Sequence, residues 1–178
     1  MSQAVALQSM FEGLYVRALQ PAGTFKERLR EKGFDLDRQK VSYPMSVWAD
    51  CLDVTADELY PGRPRAESWQ RIGRQFIDGY FSTLVGRMIA AMMPFLSAKA
   101  FLGRVPRFIT TGLEGAVVKL VWVDERHATL TIGGVHELSG ALMAGVLEGS
   151  FARIRASGVT VEAQPLTGID SEIRVTLP

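Results

Sequence analysis

The side chains of this sequence best suited to metal binding or nucleophilic chemistry are two histidines and one cysteine. His127 and His136 belong to no HExxH or HxxxH pair, and a single cysteine supplies no CxxC pair, so the usual ligand spacing of a zinc site is missing. Cys51 stands between Asp50 and Asp53, whose negative charge raises the pKa of a thiol and lowers its reactivity. We therefore expect no metal site, two surface histidines and a buried or half-buried helix cysteine.

Motifs for nucleotide binding and for hydrolysis are also missing. None of the glycine-rich strings follows a predicted strand with GxGxxG or GxxxxGK[ST] spacing, and no GxSxG is present. The carboxylates Glu12, Glu137 and Glu148 are isolated in the chain, whereas acid–base catalysis needs groups placed together at the reacting atoms. We therefore predict that the protein is not an enzyme.

The composition is that of a globular protein. Of the 178 residues, 47% are hydrophobic and 22% are charged, and a domain of this length can bury a substantial core. The net charge is +1 and the sequence has no basic block, which argues against a nucleic-acid-binding protein. We expect one domain over residues 1–178.

Three observations favour a cytoplasmic protein without a membrane span. A single cysteine cannot form an internal disulfide. The N-terminus lacks the charged segment and the apolar segment of a signal peptide. The longest apolar run, Leu84–Leu96, is shorter than the ~20 residues that a membrane span needs, and Arg87 and Pro94 interrupt it.

Hydrophobic periodicity divides the chain into a helical half and a half built mainly of strands. Apolar residues at intervals of three and four predict helices up to about residue 106, and alternating β-branched residues predict a ββαββ unit over about 107–178. The fold class is therefore α+β, with a helical layer packed on an antiparallel ββαββ sheet unit and its central helix on the sheet. The predicted helices are 25–32, 44–52, 69–96, 98–102 and 138–156, the predicted strands are 108–111, 116–123, 127–132, 159–163 and 172–177, and 53–64 is a predicted loop.

The longest predicted helix, Trp69–Leu96, carries the interior glycines Gly73, Gly79 and Gly86. Each interior glycine costs ~1 kcal/mol relative to alanine, so another interaction must offset the three of them. Another backbone packs closely against them, or a ligand lies against them, or the chain kinks and forms two helices. We favour close packing among these explanations.

Residue types beside this helix also support the hypothesis of a ligand site. Arg87 lies inside an apolar run and needs an acid such as Glu12 or Asp78, or an anionic ligand. Methionines line adaptable pockets as well as fill cores, and the candidates here are Met88, Met92, Met93 and Met143. The predicted ligand-binding residues are Phe76, Gly79, Tyr80, Thr83, Arg87, Met88 and Met92.

Four strings of the sequence resemble a known family. From Phe11 onwards the chain contains, in this order, FEGLYVRAL, YPMSVW, GRQFIDGYFSTLVGRM and GVLEGSFARI. They resemble a myxobacterial paralogous family of small proteins of uncharacterised function, over nearly the whole chain. That resemblance implies no particular activity.

A second and more distant resemblance rests on the order of the elements. The matching positions are Gly13, Trp48, Gly73 with Phe76, Phe101 and Leu102 with Pro106, and Val146–Phe151. This order is similar to the heme–nitric oxide/oxygen-binding domains and to the four-vinyl-reductase and TRAPP-subunit folds, which implies a pocket between the helices and the sheet. The heme sensors carry a Y-x-S-x-R motif and a proximal histidine, whereas this chain has Leu130–Gly134 at that place and no histidine before His127. The resemblance therefore implies a heme-less protein, and we expect no cofactor.

Two functions of different classes follow. The leading hypothesis is a non-enzymatic sensory domain in signalling, with an apolar small molecule between the sheet and Phe76, Tyr80 and Met88 of the central helix. The alternative is a protein–protein assembly or signalling adaptor module without a ligand. It would form a homodimer through the central helix or through the small residues of helix 138–156.

Overall fold

The computed structural model describes residues 4–165 and 170–178, and it gives the chain an α+β fold. The helices are α1 (Gln8–Phe11), a π-helix (Glu12–Leu19), α2 (Gly23–Glu31), α3 (Met45–Leu59), α4 (Arg65–Tyr80), α5 (Leu84–Met92), a 3-10 turn (Met93–Phe95), α6 (Ala98–Leu102), α7 (Val105–Thr110) and α8 (Ser139–Arg153). The strands are β1 (Val5–Leu7), β2 (Ser42–Pro44), β3 (Leu113–Glu114), β4 (Val117–Trp122), β5 (His127–Gly133), β6 (Thr160–Pro165) and β7 (Ser171–Thr176). In the described part of the chain, no helix is long and apolar enough to cross a bilayer.

The four-stranded antiparallel sheet has the strand order β4-β5-β7-β6 and confirms the predicted ββαββ unit. In β5 the buried residues Ala128, Leu130 and Ile132 alternate with less buried ones, as the two-residue period of a strand requires. Leu130 pairs with Leu120 of β4 and with Ile173 of β7, so the apolar residues of neighbouring strands share one face. Helix α8 packs on the sheet through β6 and β7.

Helix α8 also packs on α4, and glycines on both helices allow their backbones to approach closely. A β-carbon at Gly73 would collide with the carbonyl oxygen of Leu142, and a β-carbon at Gly145 would collide with that of Gln70. A β-carbon at Gly149 would lie 2.6 Å from a side-chain carbon of Ile77. The central helix therefore packs on α8 and not directly on the sheet, and these small residues of α8 are already in contact within the molecule.

The central helix is two helices, so the prediction of one helix over 69–96 is wrong. Helix α4 ends at Tyr80, and α5 begins at Leu84 after a turn. The Thr83 hydroxyl donates to the carbonyl of Tyr80 at 2.7 Å and accepts from the backbone N–H of Gly86 at 3.0 Å. Thr83 is therefore the N-cap of α5, and a β-carbon at Gly86 would collide with the Tyr80 carbonyl. Of the three explanations for the interior glycines, the one that holds for Gly86 is that the chain kinks and forms two helices.

Three shorter segments also differ from the prediction. Residues 108–111 were predicted as a strand, but α7 covers most of them because Pro106 occupies the first turn of a helix and does not end one. Helix α3 continues to Leu59 through the predicted loop, since Val54, Thr55 and Ala56 are all buried within the fold. The three-stranded sheet β2-β1-β3 was not predicted, because its strands of two or three residues are too short to show an alternation.

An aromatic cluster forms the core under the N-terminal helices. The ring of Phe11 lies 4.3 Å from Tyr43, 4.6 Å from Phe34 and 4.9 Å from Trp48, centroid to centroid, and it meets Trp48 edge-on. Each of these side chains is at most 2% exposed, and burial of a phenylalanine side chain stabilises a fold by about 1.5–3 kcal/mol. This cluster holds α1, β2 and α3 together.

Candidate functional site

An apolar cavity of about 80 Å³ lies among α4, α7 and α8. Because α8 covers the sheet, the cavity lies between helices, and the described residues of the four-stranded sheet do not line it. The predicted location between central helix and sheet is thereby corrected. The lining residues are Met10, Phe76, Ile77, Tyr80, Phe81, Ile89, Phe101, Val105, Phe108, Ile109, Gly112, Leu113, Met143, Val146, Leu147 and Ser150.

The polar groups on the cavity wall bond to the protein itself. The Thr111 hydroxyl donates to the carbonyl of Phe108 at 2.6 Å, so its oxygen accepts the hydrogen bond of the Tyr80 hydroxyl, 3.1 Å away. Burial raises the pKa of Tyr80, which keeps the phenol neutral. The Ser150 hydroxyl donates to the carbonyl of Val146 at 2.7 Å. The wall therefore suits a molecule that makes no hydrogen bonds.

Of the seven predicted ligand-binding residues, Phe76 and Tyr80 line the cavity. Gly79 faces the π-helix, where a β-carbon would collide with the carbonyl oxygen of Gly13. Gly79 is therefore a close-packing position, as the favoured explanation of the glycines predicted. Thr83 is buried, and its hydroxyl is used by the cap of α5.

The other three predicted residues follow the break and point outwards. Arg87 is exposed, and the side chains of Met88 and Met92 are 60% and 48% exposed. The predicted acidic partners of Arg87 bind other arginines, since Glu12 pairs with Arg17 and Asp78 pairs with Arg153, each at 2.7 Å. The predicted clamp on Arg87 is therefore wrong. The turn after Tyr80 starts a new helix at Leu84, so the side chains of α5 do not continue the faces of α4. This is why Arg87, Met88 and Met92 point outwards.

Sequence reasoning missed the part of the wall that α6 and α7 contribute. Phe101, Val105 and Ile109 are each at most 8% exposed and line the cavity. Their spacing of four residues was a helical signal, but it crosses Gly103 and Pro106, which were interpreted as stops. Met143 of α8, one of the four candidate methionines, also lines the cavity.

Cys51 and the two histidines lie outside the cavity. Cys51 is fully buried in α3, and burial, together with the charge of Asp50, raises the pKa of its thiol to about 12. His127 is exposed and bonds Asp124 through Nδ1 at 2.8 Å, as expected of a surface residue. His136 is only half-buried and stacks on Trp69 with ring centroids 5.0 Å apart, so the surface prediction holds for one histidine.

We predict that Cys51 does not react in the native protein. With the pKa at about 12, the thiolate fraction at pH 8 is on the order of one in ten thousand, and the side chain is shielded from solvent. A thiol-reactive dye should label the protein fully in guanidinium and not within an hour in buffer, as measured by intact mass. Rapid labelling of the native protein would contradict the observed burial.

Comparison with known proteins gives a family and a fold. A family model described as "Protein of unknown function (DUF2378)" matches residues 4–176. A comparison with curated proteins found no match.

Several of the solved structures that match are H-NOX domains. An H-NOX protein from S. oneidensis in the Fe(II)NO ligation state has a TM-score of 0.70 and 14% identity, with 96% of this chain and 98% of that chain covered. A variant of T. tengcongensis H-NOX has a TM-score of 0.65 and 15% identity, with 96% and 97% covered. A structure from a study of heme distortion in the H-NOX family has a TM-score of 0.65 and 14% identity, with 95% and 93% covered. The chain therefore has the H-NOX fold, as the second resemblance predicted.

The residues around the cavity do not fit a heme. Heme iron is held by a His, a Cys thiolate, a Tyr, or a Met that is paired with a His. Met10 and Met143 line the cavity, but no histidine is there to pair with them, because His127 and His136 lie elsewhere, as does Cys51. The Tyr80 phenol is neutral and bonded to Thr111. Among the described residues, no group of three or more His, Cys, Asp or Glu side chains is placed to hold a metal ion. A volume of about 80 Å³ is also well below the roughly 300–1,000 Å³ of pockets for larger ligands.

Proposed function

The chain belongs to the family of proteins of unknown function whose model matches residues 4–176, and from this premise we propose that it is a non-enzymatic, heme-less sensory domain. Its ligand is a small apolar molecule that occupies the cavity among α4, α7 and α8. The H-NOX fold supports a sensory, small-molecule-binding role. The family match does not indicate any enzymatic reaction.

The observation that carries this proposal is an apolar cavity whose polar wall groups are already bonded. Apolar cavities of this kind stay free of water, because water needs two to four polar partners. An apolar molecule loses no hydrogen bonds within such a cavity and gains contacts with the aromatic wall. Binding therefore depends on shape and size.

The volume limits the ligand to a few heavy atoms. An engineered cavity of roughly 150 Å³ binds benzene or xenon, and the cavity here is about half as large, at about 80 Å³. Xenon fits without rearrangement, whereas benzene requires the wall to move outwards. A ligand of benzene size would therefore change the conformation as it binds.

Helix α5 is the part of the wall best placed to transmit this change. Ile89 on its inner side lines the cavity, whereas Met88 beside it is 60% exposed. Residues 81–83 form the turn that joins α5 to α4, and Thr83 is the N-cap of α5. Outward movement of Ile89 would displace the exposed face of α5, where a signalling partner could detect it.

We predict that xenon, which fits without rearrangement, perturbs the methionines of the cavity and leaves exposed methionines unchanged. In protein with 13C-labelled methionine methyl groups, dissolved xenon should shift the signals of Met10 and Met143, which line the cavity. The signals of Met88 and Met92, which are exposed, serve as internal controls. Benzene should in addition change hydrogen exchange across residues 84–96.

A matched pair of variants localises the effect. Val105→Phe fills the cavity and should weaken benzene binding at least about tenfold, at a cost in stability of ~1–3 kcal/mol. Val41→Phe places the same side chain at an 80% exposed position and should leave binding unchanged. Equal shifts at all four methionines with xenon would contradict the site. Shifts at Met10 and Met143 with unchanged exchange in α5 would contradict the sensory role.

A further inference from the structure

The outer side of α5 carries a stripe of exposed apolar side chains. Leu84, Met88 and Met92 recur every four residues and Phe95 follows in the 3-10 turn, so the four share one side of the chain. Their exposed fractions are 69%, 60%, 48% and 88% in that order. We call these four residues the α5 stripe. Single exposed apolar residues are ordinary, but four aligned ones mark an interaction surface.

The chain segment that carries the α5 stripe has charges of one sign. Residues 84–113 contain four cations, Arg87, Lys99, Arg104 and Arg107, and no aspartate or glutamate. All four are exposed, and within the described part of the chain none of them forms a salt bridge. Lys99 lies over the Trp122 ring, 5.1 Å from its centroid, and keeps its charge. The chain as a whole has a net charge of +1, so the segment carries +4 and the remaining residues carry −3.

We propose that the α5 stripe and its four cations bind the surface of an anionic phospholipid membrane. A helix lying in the membrane interface places apolar residues among the acyl chains and its Lys and Arg near the anionic headgroups. Phe95 and Leu84 are the most exposed of the four and would enter the bilayer first. Electrostatic attraction contributes a factor of about five in affinity for each cation near the membrane surface. The protein would thus be peripheral, held from one side.

The positive charge of the segment favours an anionic membrane over a second copy of the chain as the binding partner. A symmetric dimer uses the same patch on both subunits, so a contact centred on the α5 stripe would bring the cationic segment of one copy, including Arg87, against that of the other. The segment supplies no acid to compensate them. An anionic lipid surface meets both requirements of the patch at once, because it offers an apolar layer and negative charge. This inference is independent of the ligand cavity.

The test is sedimentation of the full chain with lipid vesicles. The protein should sediment with vesicles of equal parts phosphatidylcholine and phosphatidylglycerol, and not with vesicles of phosphatidylcholine alone. Phe95→Ser should weaken binding at least about tenfold. The triple variant Arg87→Glu, Arg104→Glu, Arg107→Glu should weaken it on the order of 100-fold or more. Circular dichroism and thermal melts establish that each variant is folded.

Matched controls change the same chemistry elsewhere. Val41→Ser removes an 80% exposed apolar side chain outside the α5 stripe. The triple variant Lys32→Glu, Arg38→Glu, Lys40→Glu changes the net charge by as much as the triple variant within the segment does. Neither control should reduce binding more than about twofold. Equal loss in both triple variants would overturn the proposal, as would no binding to either kind of vesicle. A dimer in solution that Phe95→Ser dissociates, without vesicle binding, would overturn it in favour of a second copy. Capture of an acidic protein by the α5 stripe, again without vesicle binding, would overturn it in favour of a protein partner.

Discussion

Replacing Gly145 by alanine is expected to lower the free energy of unfolding by about 3 kcal/mol or more. Gly145 lies inside α8, where the higher helix propensity of alanine alone would stabilise the protein by ~1 kcal/mol. The new β-carbon, however, would collide with the carbonyl oxygen of Gln70, which belongs to the backbone of α4 and cannot rotate away. Packing therefore reverses the sign that propensity predicts. Urea denaturation followed by circular dichroism measures the difference.

Gly103→Ala is the matched control for this prediction. A β-carbon at Gly103 would meet its nearest neighbour, the carbonyl oxygen of Lys99, at 3.5 Å, which is an ordinary contact. Its φ of −61° is already helical, so alanine should be neutral or stabilise by up to ~1 kcal/mol. If Gly145→Ala proved as stable as the parent protein, α4 and α8 would not pack as closely as observed.

The second large effect is expected for Phe101→Ala. Phe101 is 3% exposed and meets Phe151 edge-on, with ring centroids 5.3 Å apart. Loss of a buried phenylalanine side chain costs about 3–5 kcal/mol, because contacts disappear and a void remains. Phe101 is also part of the cavity wall, so the void should join the cavity. The variant should therefore be less stable and yet bind benzene more tightly than the parent protein does.

Phe95→Ala removes the same side chain from the surface. Phe95 is 88% exposed, so the change in unfolding free energy should stay within about 0.5 kcal/mol, and benzene affinity should not change. Thermal melts with and without benzene compare the three proteins directly. If Phe101→Ala bound benzene no better than Phe95→Ala, the wall would have collapsed into the cavity.

Sequence patterns predicted the ββαββ unit because its strands alternate in residue type, and β5 and β7 each bury one face. In β5 the alternation of Ala128, Leu130 and Ile132 with threonines has one interpretation, and the position of the strand agrees to within one residue. The break after Tyr80 had a local signal as well, namely a threonine three residues before a glycine. That signal was outweighed by apolar residues that continue on both sides of the turn. Hydrophobic periodicity shows which residues are apolar, but it does not show that the helix axis changes direction.

The cavity was harder to predict because its wall comes from segments far apart in the chain. Met10, Phe101 and Leu147 line one space, but each belongs to an element whose own pattern indicates only burial. The α5 stripe shows the converse problem. Leu84 and Met88 have the residue types of a core, and no local pattern distinguishes an apolar side that meets another helix from one that meets solvent. The side of α5 that faces inwards is decided by the packing of Ile89 against the cavity wall, which local sequence does not show.

The pairing of α4 with α8 has a consequence for synthesis of the chain. Gln70 and Arg74 of α4 both bind Glu148 of α8, which follows them by 78 and 74 positions. At roughly 5–20 residues per second a ribosome needs roughly 4–16 s to cover that distance. During this time the side of α4 that carries Gly73 has been synthesised, whereas α8, which packs against it, has not. A nascent chain of this protein should therefore depend on holding chaperones until α8 leaves the exit tunnel, and fragments that end before α8 should aggregate.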